Sequence, residues 1–133
     1  MARSAFETLE VYRLSERIAD EIWKIVLRWD RFARDTVGKQ LVRAVDSIGA
    51  NIAEGHGRGA DLDHRRFVKI ARGSMNETMH FLRRAYRRDL LKASQVEKLK
   101  PMFEELAPRL NAYLNSIGRR RLTTSNKQRA TRN

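Results

Sequence analysis

The chain contains no cysteine, which removes disulfides, thiolate nucleophiles and cysteine zinc sites together and fits a reducing compartment, with the cytoplasm as the default expectation. Its 133 residues include only two prolines, Pro101 and Pro108, and no run of alternating apolar and polar residues that reads as a strand. No stretch approaches the roughly 18 uncharged residues of a membrane span. The opening Met1-Ala2-Arg3-Ser4-Ala5-Phe6-Glu7 places an acid where a secretory leader needs its apolar run. An integral membrane protein and export by that route are thereby set aside. Acids are scarce as well: 16 Asp and Glu stand against 28 Lys and Arg, a formal charge of +12. Such an excess repels further copies of the chain unless a polyanion is nearby, so nucleic acid or an anionic membrane surface is the implied partner.

What is present is helical patterning. Val11, Leu14, Ile18, Ile22, Ile25 and Trp29 recur by threes and fours and predict an amphipathic helix from about Leu9 to Trp29. A charged connection, residues 30–35, follows. Asp35 or Thr36 is the expected cap of a second helix with the seam Leu41, Val45, Ile48 and Ile52, ending at Gly55-His56-Gly57-Arg58-Gly59, where glycine permits left-handed backbone. Asp61 or Asp63 opens a third helix to about Arg88, with Phe67, Ile70, Ser74, Phe81 and Ala85 expected in the core. Ser94-Gln95-Val96-Glu97 reads as a capping box before a fourth seam, Val96, Leu99, Phe103, Leu106, Leu110, Tyr113 and Ile117. Both prolines fall on the outer side of that seam, so a bend, or a break near Lys100, is expected there. Long helices with short connections predict an all-α, antiparallel up-and-down four-helix bundle over residues 1–118. Residues 119–133 carry six cations, Arg119, Arg120 and Arg121 among them, and no acid; they read as a disordered basic tail.

On the third helix, Arg65, Lys69, Arg72, Asn76, His80, Arg83 and Arg87 fall in a band roughly 80° wide when the chain turns about 100° per residue. Acids are absent from this ridge, whereas an ordinary solvated face mixes Glu with Lys at spacings of four. Five like charges along about 33 Å of helix repel one another, and a phosphate backbone relieves that repulsion while releasing counterions. Arginine dominates, which favours bidentate phosphate contact. The ridge carries no interleaved aromatics, and the chain has no signature of a base-reading module, so recognition of backbone and shape is expected. Arg58 is a further candidate anion contact, as are Arg119, Arg120 and Arg121. RNA is preferred over DNA or an RNA/DNA hybrid, and a plain solvated face stays open as the simpler reading. A membrane-surface role is disfavoured because the opposite face of the helix is needed for the bundle.

A second apolar line on the same helix, Val68, Met75, Met79, Leu82 and Tyr86, predicts self-association, with a broad core as the alternative. Arg43, Asn51, Glu54 and Glu77 are candidates for a polar network fixing the register of the second and third helices. Glu77-Thr78-Met79-His80 has the Glu-x-x-His spacing of di-iron bundles. It lacks the second copy and the extra inward carboxylates such sites need, so no metal and no cofactor are expected. No activated nucleophile or cleft is indicated, and neither an enzyme nor a small-molecule substrate is expected.

Three segments carry a resemblance. They are Phe6-Glu7-Thr8-Leu9-Glu10-Val11-Tyr12, then Ser47-Ile48-Gly49-Ala50-Asn51-Ile52-Ala53-Glu54-Gly55-His56-Gly57-Arg58, and then Arg66-Phe67-Val68-Lys69-Ile70-Ala71-Arg72-Gly73-Ser74-Met75-Asn76-Glu77. Over residues 6–118 the chain resembles the bacterial four-helix-bundle family that includes proteins encoded in intervening sequences of large-subunit ribosomal RNA genes. It departs from that pattern at Gly49, Ala50 and His56, which stand where the family commonly has Pro, Ser and an aromatic residue. The resemblance implies the bundle and a ring-like homopentamer, and it brings no catalytic residues. A branch similar in architecture and charge is the accessory variability determinant of diversity-generating retroelements, which implies a reverse transcriptase and its template RNA as partners. The +12 charge and the arginine-rich tail favour that branch; the alternative is a structural four-helix-bundle scaffold of the ribosomal RNA intervening-sequence family whose partner is a protein.

Overall fold

The computed structural model describes Phe6 and residues 9–118; Arg119, Arg120 and Arg121, and the expected basic tail with them, lie outside the described residues. Among the described residues the chain forms four long helical stretches and no strand. The first, α1, is Glu10–Leu27. The second, α2, covers residues 31–56 as a turn Arg31–Ala33, a π-helical turn Arg34–Gly38 and an α-helix Lys39–His56 without interruption. Asp61–Arg87 forms α3 and Ala93–Ser116 forms α4. Each helix packs on its neighbours in sequence, and α4 returns to α1. Glu10 pairs with Arg109 at 2.7 Å and Glu21 with Lys98 at 3.0 Å, so α1 and α4 run in opposite directions, as in an up-and-down bundle.

Helix ends follow local chemistry, in places one step away from the sequence expectation. Asp30 caps α2 by accepting from the Ala33 N–H at 3.0 Å, so the helix starts before Asp35 and Thr36, and most of the supposed charged connection is helical. At α4 the Gln95 side chain accepts from the Lys92 N–H at 2.9 Å; that contact, rather than Ser94 with Glu97, closes the first turn. The helix then runs unbroken through both prolines. Pro101 and Pro108 deprive the carbonyls of Glu97 and Glu104 of their usual donors, and all four residues are exposed, on the side of the helix open to solvent. The α3 terminus closes with Leu90 N–H on the Ala85 carbonyl at 2.9 Å and Asp89 N–H on the Tyr86 carbonyl at 3.1 Å. Asp89 holds the left-handed position, φ 59°, that glycine usually takes.

Leu14, Ile18, Ile22, Leu41, Ile48, Ile52, Leu106 and Leu110 form the fully buried centre, each worth about 1.5–3 kcal/mol in removed apolar surface. The α2–α3 contact is the most extensive, and its α3 side is built mainly from small residues. Val68, Ala71, Ser74, Met75, Thr78 and Ala85 are buried there. Phe67 and Phe81 are only half-buried and Ile70 is 42% exposed. Ser74 and Ala85 are buried as expected, but the real core line of α3 is turned by roughly 60° from the expected one. Val68, Ala71, Met75 and Thr78 thereby take the places expected for Phe67, Ile70 and Phe81. Thr78 Oγ1 donates to the Ser74 carbonyl at 2.7 Å, so its burial leaves no orphaned hydroxyl.

Gly55 sits inside α2, and Gly57 is right-handed at φ −79°; neither uses the left-handed freedom expected of the glycine run. A Cβ on Gly55 would lie 2.8 Å from Phe67 Cβ and 3.2 Å from the His64 carbonyl oxygen, so this glycine supplies space for α3. Gly73, on the exposed side of α3, has nothing within 4 Å of such a Cβ. Opposite outcomes follow for one chemical change. Gly55→Ala is expected to destabilise by about 1–3 kcal/mol despite better helix propensity, and Gly73→Ala to stabilise by about 0.5–1 kcal/mol; urea denaturation midpoints check both.

Candidate nucleic-acid interface

The rotation imposed on α3 by its small-residue face decides where the cations go. Taking about 100° per residue, the ridge lies roughly 130° around the helix from the buried line, leaning toward α4 rather than directly opposite the core. The lean divides the ridge. Arg65 and Arg72 are half-buried: Arg65 Nη1 donates to the Leu114 carbonyl at 2.8 Å, near the end of α4, and Arg72 Nη1 to Asn111 Oδ1 at 3.3 Å. Lys69, Asn76, His80, Arg83 and Arg87 are exposed. Among the described residues, none of Arg65, Lys69, Arg72, Arg83 and Arg87 is paired with a carboxylate. Acids that pair do so elsewhere, as in Arg66 with Asp63 at 3.5 Å and Arg109 with both Glu10 and Glu105.

Arg58 does not join the ridge. Its guanidinium contacts Glu54 Oε1 at 2.8 Å and lies 4.8 Å from the Phe67 ring centroid, with Arg66 also against Phe67 at 4.7 Å. This half-neutralised, stacked arrangement anchors the α2–α3 turn. The supposed polar network does not assemble. Asn51 Nδ2 donates to the Ser47 carbonyl at 2.8 Å within α2, and Ser47 Oγ to the Arg43 carbonyl at 2.8 Å. Arg43, Glu54 and Glu77 are exposed, and the α2–α3 contact is filled instead by small side chains, Ala71, Ser74 and Thr78 among them.

The second apolar line also splits. Val68 and Met75 are 0% and 5% exposed; they belong to the core of the single chain and are unavailable to another copy. Met79 and Tyr86 remain 47% and 58% exposed. With Leu82, Leu91, Val96, Phe103 and Ala107 they line an open groove of about 510 Å³ between α3 and α4, edged by Arg83, Lys100 and Glu104.

A family model described as 23S rRNA-intervening sequence protein matches residues 7–112. The chain belongs to that family. Among solved structures, a protein of unknown function from the S23 ribosomal protein family of Bacteroides thetaiotaomicron is similar in fold. The identity is 24%, the TM-score 0.69, and the match covers 80% of this chain and 99% of that one. No curated protein sequence matches. No helix among the described residues is long and apolar enough to cross a membrane.

In this intervening-sequence family member a polar junction that no spacing signals closes one end of the bundle. His64 Nε2 and the Tyr113 hydroxyl are 2.8 Å apart, and His56 Nδ1 approaches the same hydroxyl at 3.5 Å. The junction thereby joins the end of α2, the start of α3 and the end of α4. Tyr113 occupies an ordinary seam position, and only packing brings the histidines to it. Burial pushes His64 below the usual histidine range, the neighbouring His56 ring adds to the shift, and Asp61 opposes it. Burial likewise raises the Tyr113 hydroxyl. A histidine that titrates lower in the folded chain favours folding while neutral. Its contribution is complete above the ordinary value of 6.5 and is lost as pH falls through the depressed folded value. Acidification from about pH 7 to 5 is therefore expected to lower the urea midpoint of the wild-type chain more than that of His64→Gln.

Proposed function

We propose that the chain is a non-catalytic nucleic-acid-binding protein with a preference for RNA, and that the α3 ridge is its phosphate-contacting surface. One observation carries this reading: Arg65, Lys69, Arg72, Arg83 and Arg87 lie along one helix with no carboxylate partner among the described residues. Uncompensated like charges are costly in isolation and become favourable against a polyanion. Arg65 and Arg72, tethered to α4, are held in place for a backbone to run past them. Lys69, Arg83 and Arg87 are free to reach it.

Self-association into a ring is the accompanying proposal. The α3–α4 groove supports it, because Met79, Leu82 and Tyr86 form an apolar surface that one bundle leaves uncovered. Partnership with a reverse transcriptase is a narrower form of the same idea, supported by the net charge of +12 and by the family resemblance.

Five phosphate contacts give a slope of about −4 for log affinity against log salt, so affinity should fall roughly a hundredfold or more between about 50 and 200 mM salt. Arg83→Glu with Arg87→Glu is expected to weaken RNA binding at low salt and flatten that slope by about two units, with the thermal midpoint little changed because both residues are exposed. Anisotropy titrations of labelled RNA across a salt series measure this. A salt-independent affinity, or a double variant that binds as tightly as wild type, would remove the ridge from the interface.

A further inference from the structure

The edge of the bundle formed by α1 and the start of α2 carries a different surface. Trp23 is 53% exposed, Leu27 52% and Phe32 79%, which is unusual for residues that gain so much from burial. Trp23, Val26 and Leu27 from α1 face Arg34, Gly38, Lys39, Val42 and Arg43 from α2 across an open groove of about 450 Å³. The close approach that makes the groove is set by Gly38, where a Cβ would lie 2.8 Å from Val26 Cγ1 and 3.3 Å from the Trp29 ring. Arg34, Lys39 and Arg43 have no ion pair among the described residues. The one acid in the groove, Asp35, is 3.6 Å from Arg31.

From this juxtaposition of an exposed indole and three unpaired cations in one concave groove, we propose a second nucleic-acid site, specific for single-stranded segments, in which Trp23 stacks on an unpaired base while Arg34, Lys39 and Arg43 hold the adjoining phosphates. The chemistry differs from that of the α3 ridge. A duplex keeps its bases stacked on one another and offers no free face to an indole, whereas single strands exchange base–base for base–aromatic stacking at little cost. Charge complementarity from Arg34, Lys39 and Arg43 selects an anionic occupant, and an indole lining the same groove as those cations favours a stacked base with its phosphates alongside. The site is short. Farther along the same edge Glu16, Asp20 and Asp46 line the neighbouring groove, and burial together with Asp20 raises the Asp46 carboxyl. That acidic end repels a continuing backbone and confines contact to a few nucleotides. Because α1–α2 and α3–α4 form opposite edges of the bundle, this site stands or falls independently of the ridge.

Tryptophan emission reads the site directly, since the chain has two tryptophans and Trp29 is buried with its Nε1–H donating to the Leu90 carbonyl at 3.0 Å. The full chain is titrated with oligouridylate of about a dozen nucleotides and, separately, with an RNA duplex of equal length. Quenching by the single strand and little by the duplex is expected, and it should persist in the Arg83→Glu, Arg87→Glu variant. By anisotropy of labelled oligouridylate with the ridge disabled by Arg83→Glu and Arg87→Glu, Trp23→Leu is expected to lose roughly tenfold in affinity, Trp23→Phe to retain most of it, and Arg34→Glu with Arg43→Glu to weaken binding further. Equal quenching by duplex, or unchanged affinity in Trp23→Leu, would overturn the proposal. So would an emission shift produced by phosphatidylserine vesicles but not by oligouridylate, which would make the groove a membrane contact.

Discussion

The structure turns on how closely α2 and α3 approach. Gly55 on one helix and Ala71, Ser74, Thr78 and Ala85 on the other remove the side-chain bulk that would hold the backbones apart, and Val68 and Met75 fill the remaining space. Packing of this kind tolerates few rotational settings, because a shift of one residue would drive Phe67 or Ile70 into a gap sized for methyl and hydroxyl groups. The setting adopted points Lys69, Arg83 and Arg87 to solvent and lays Arg65 and Arg72 along α4. A surface property, the orientation of a charged ridge, is thus fixed by the smallest residues of the core.

Much of the architecture was legible beforehand, and the failures share a cause. The α1 seam and most of the α4 seam are large apolar residues at strict spacing that pack as the periodicity predicts, with Val96 and Tyr113 only half-buried. Both prolines of α4 sit where their missing hydrogen bonds face water. On α3 the same reasoning placed Ser74 and Ala85 in the core, where they are, but put Phe67, Ile70 and Phe81 with them and assigned Val68 and Met75 to an interface with another copy. Hydrophobic periodicity locates a helix more surely than its rotation when the contact face is small and polar-tolerant. The ridge survived this error because it was defined by its own spacing, although its angle to the core differs from the expected one. The supposed network of Arg43, Asn51, Glu54 and Glu77 failed because side chains on one flank of a helix most easily satisfy themselves locally, as Asn51, Ser47 and the Glu54–Arg58 pair do. The His56–His64–Tyr113 junction left no trace in the sequence, since it unites three helices that only the fold brings together.

Charge is distributed unevenly over the bundle. Several acids are engaged along α1 and α4, as Glu10, Glu21 and Glu105 show, or collected with Glu16, Asp20 and Asp46 at the α1–α2 edge. Glu77 on α3 and Glu104 at the groove edge are exposed and, among the described residues, make no ion pair to the ridge. The α3–α4 side consequently presents cations beside an uncovered apolar groove, two kinds of surface on one face. In the proposed role, the groove joins copies of the chain and the ridge beside it repeats around the assembly, so each added copy extends one positive surface. Membership in the 23S rRNA-intervening sequence protein family places the bundle in its evolutionary setting. The ridge and groove are the parts of this chain that give the proposed role a physical basis.

The claim that α3 offers unengaged guanidinium groups to a polyanion is tested most directly by arginine footprinting with phenylglyoxal, read by mass spectrometry with and without bound RNA. Arg83 and Arg87 should react readily in the free protein and become protected when RNA is added, while Arg58, already engaged by Glu54, changes little. Equal reactivity of Arg83 and Arg87 in the free and RNA-bound protein would contradict a nucleic-acid role for the ridge.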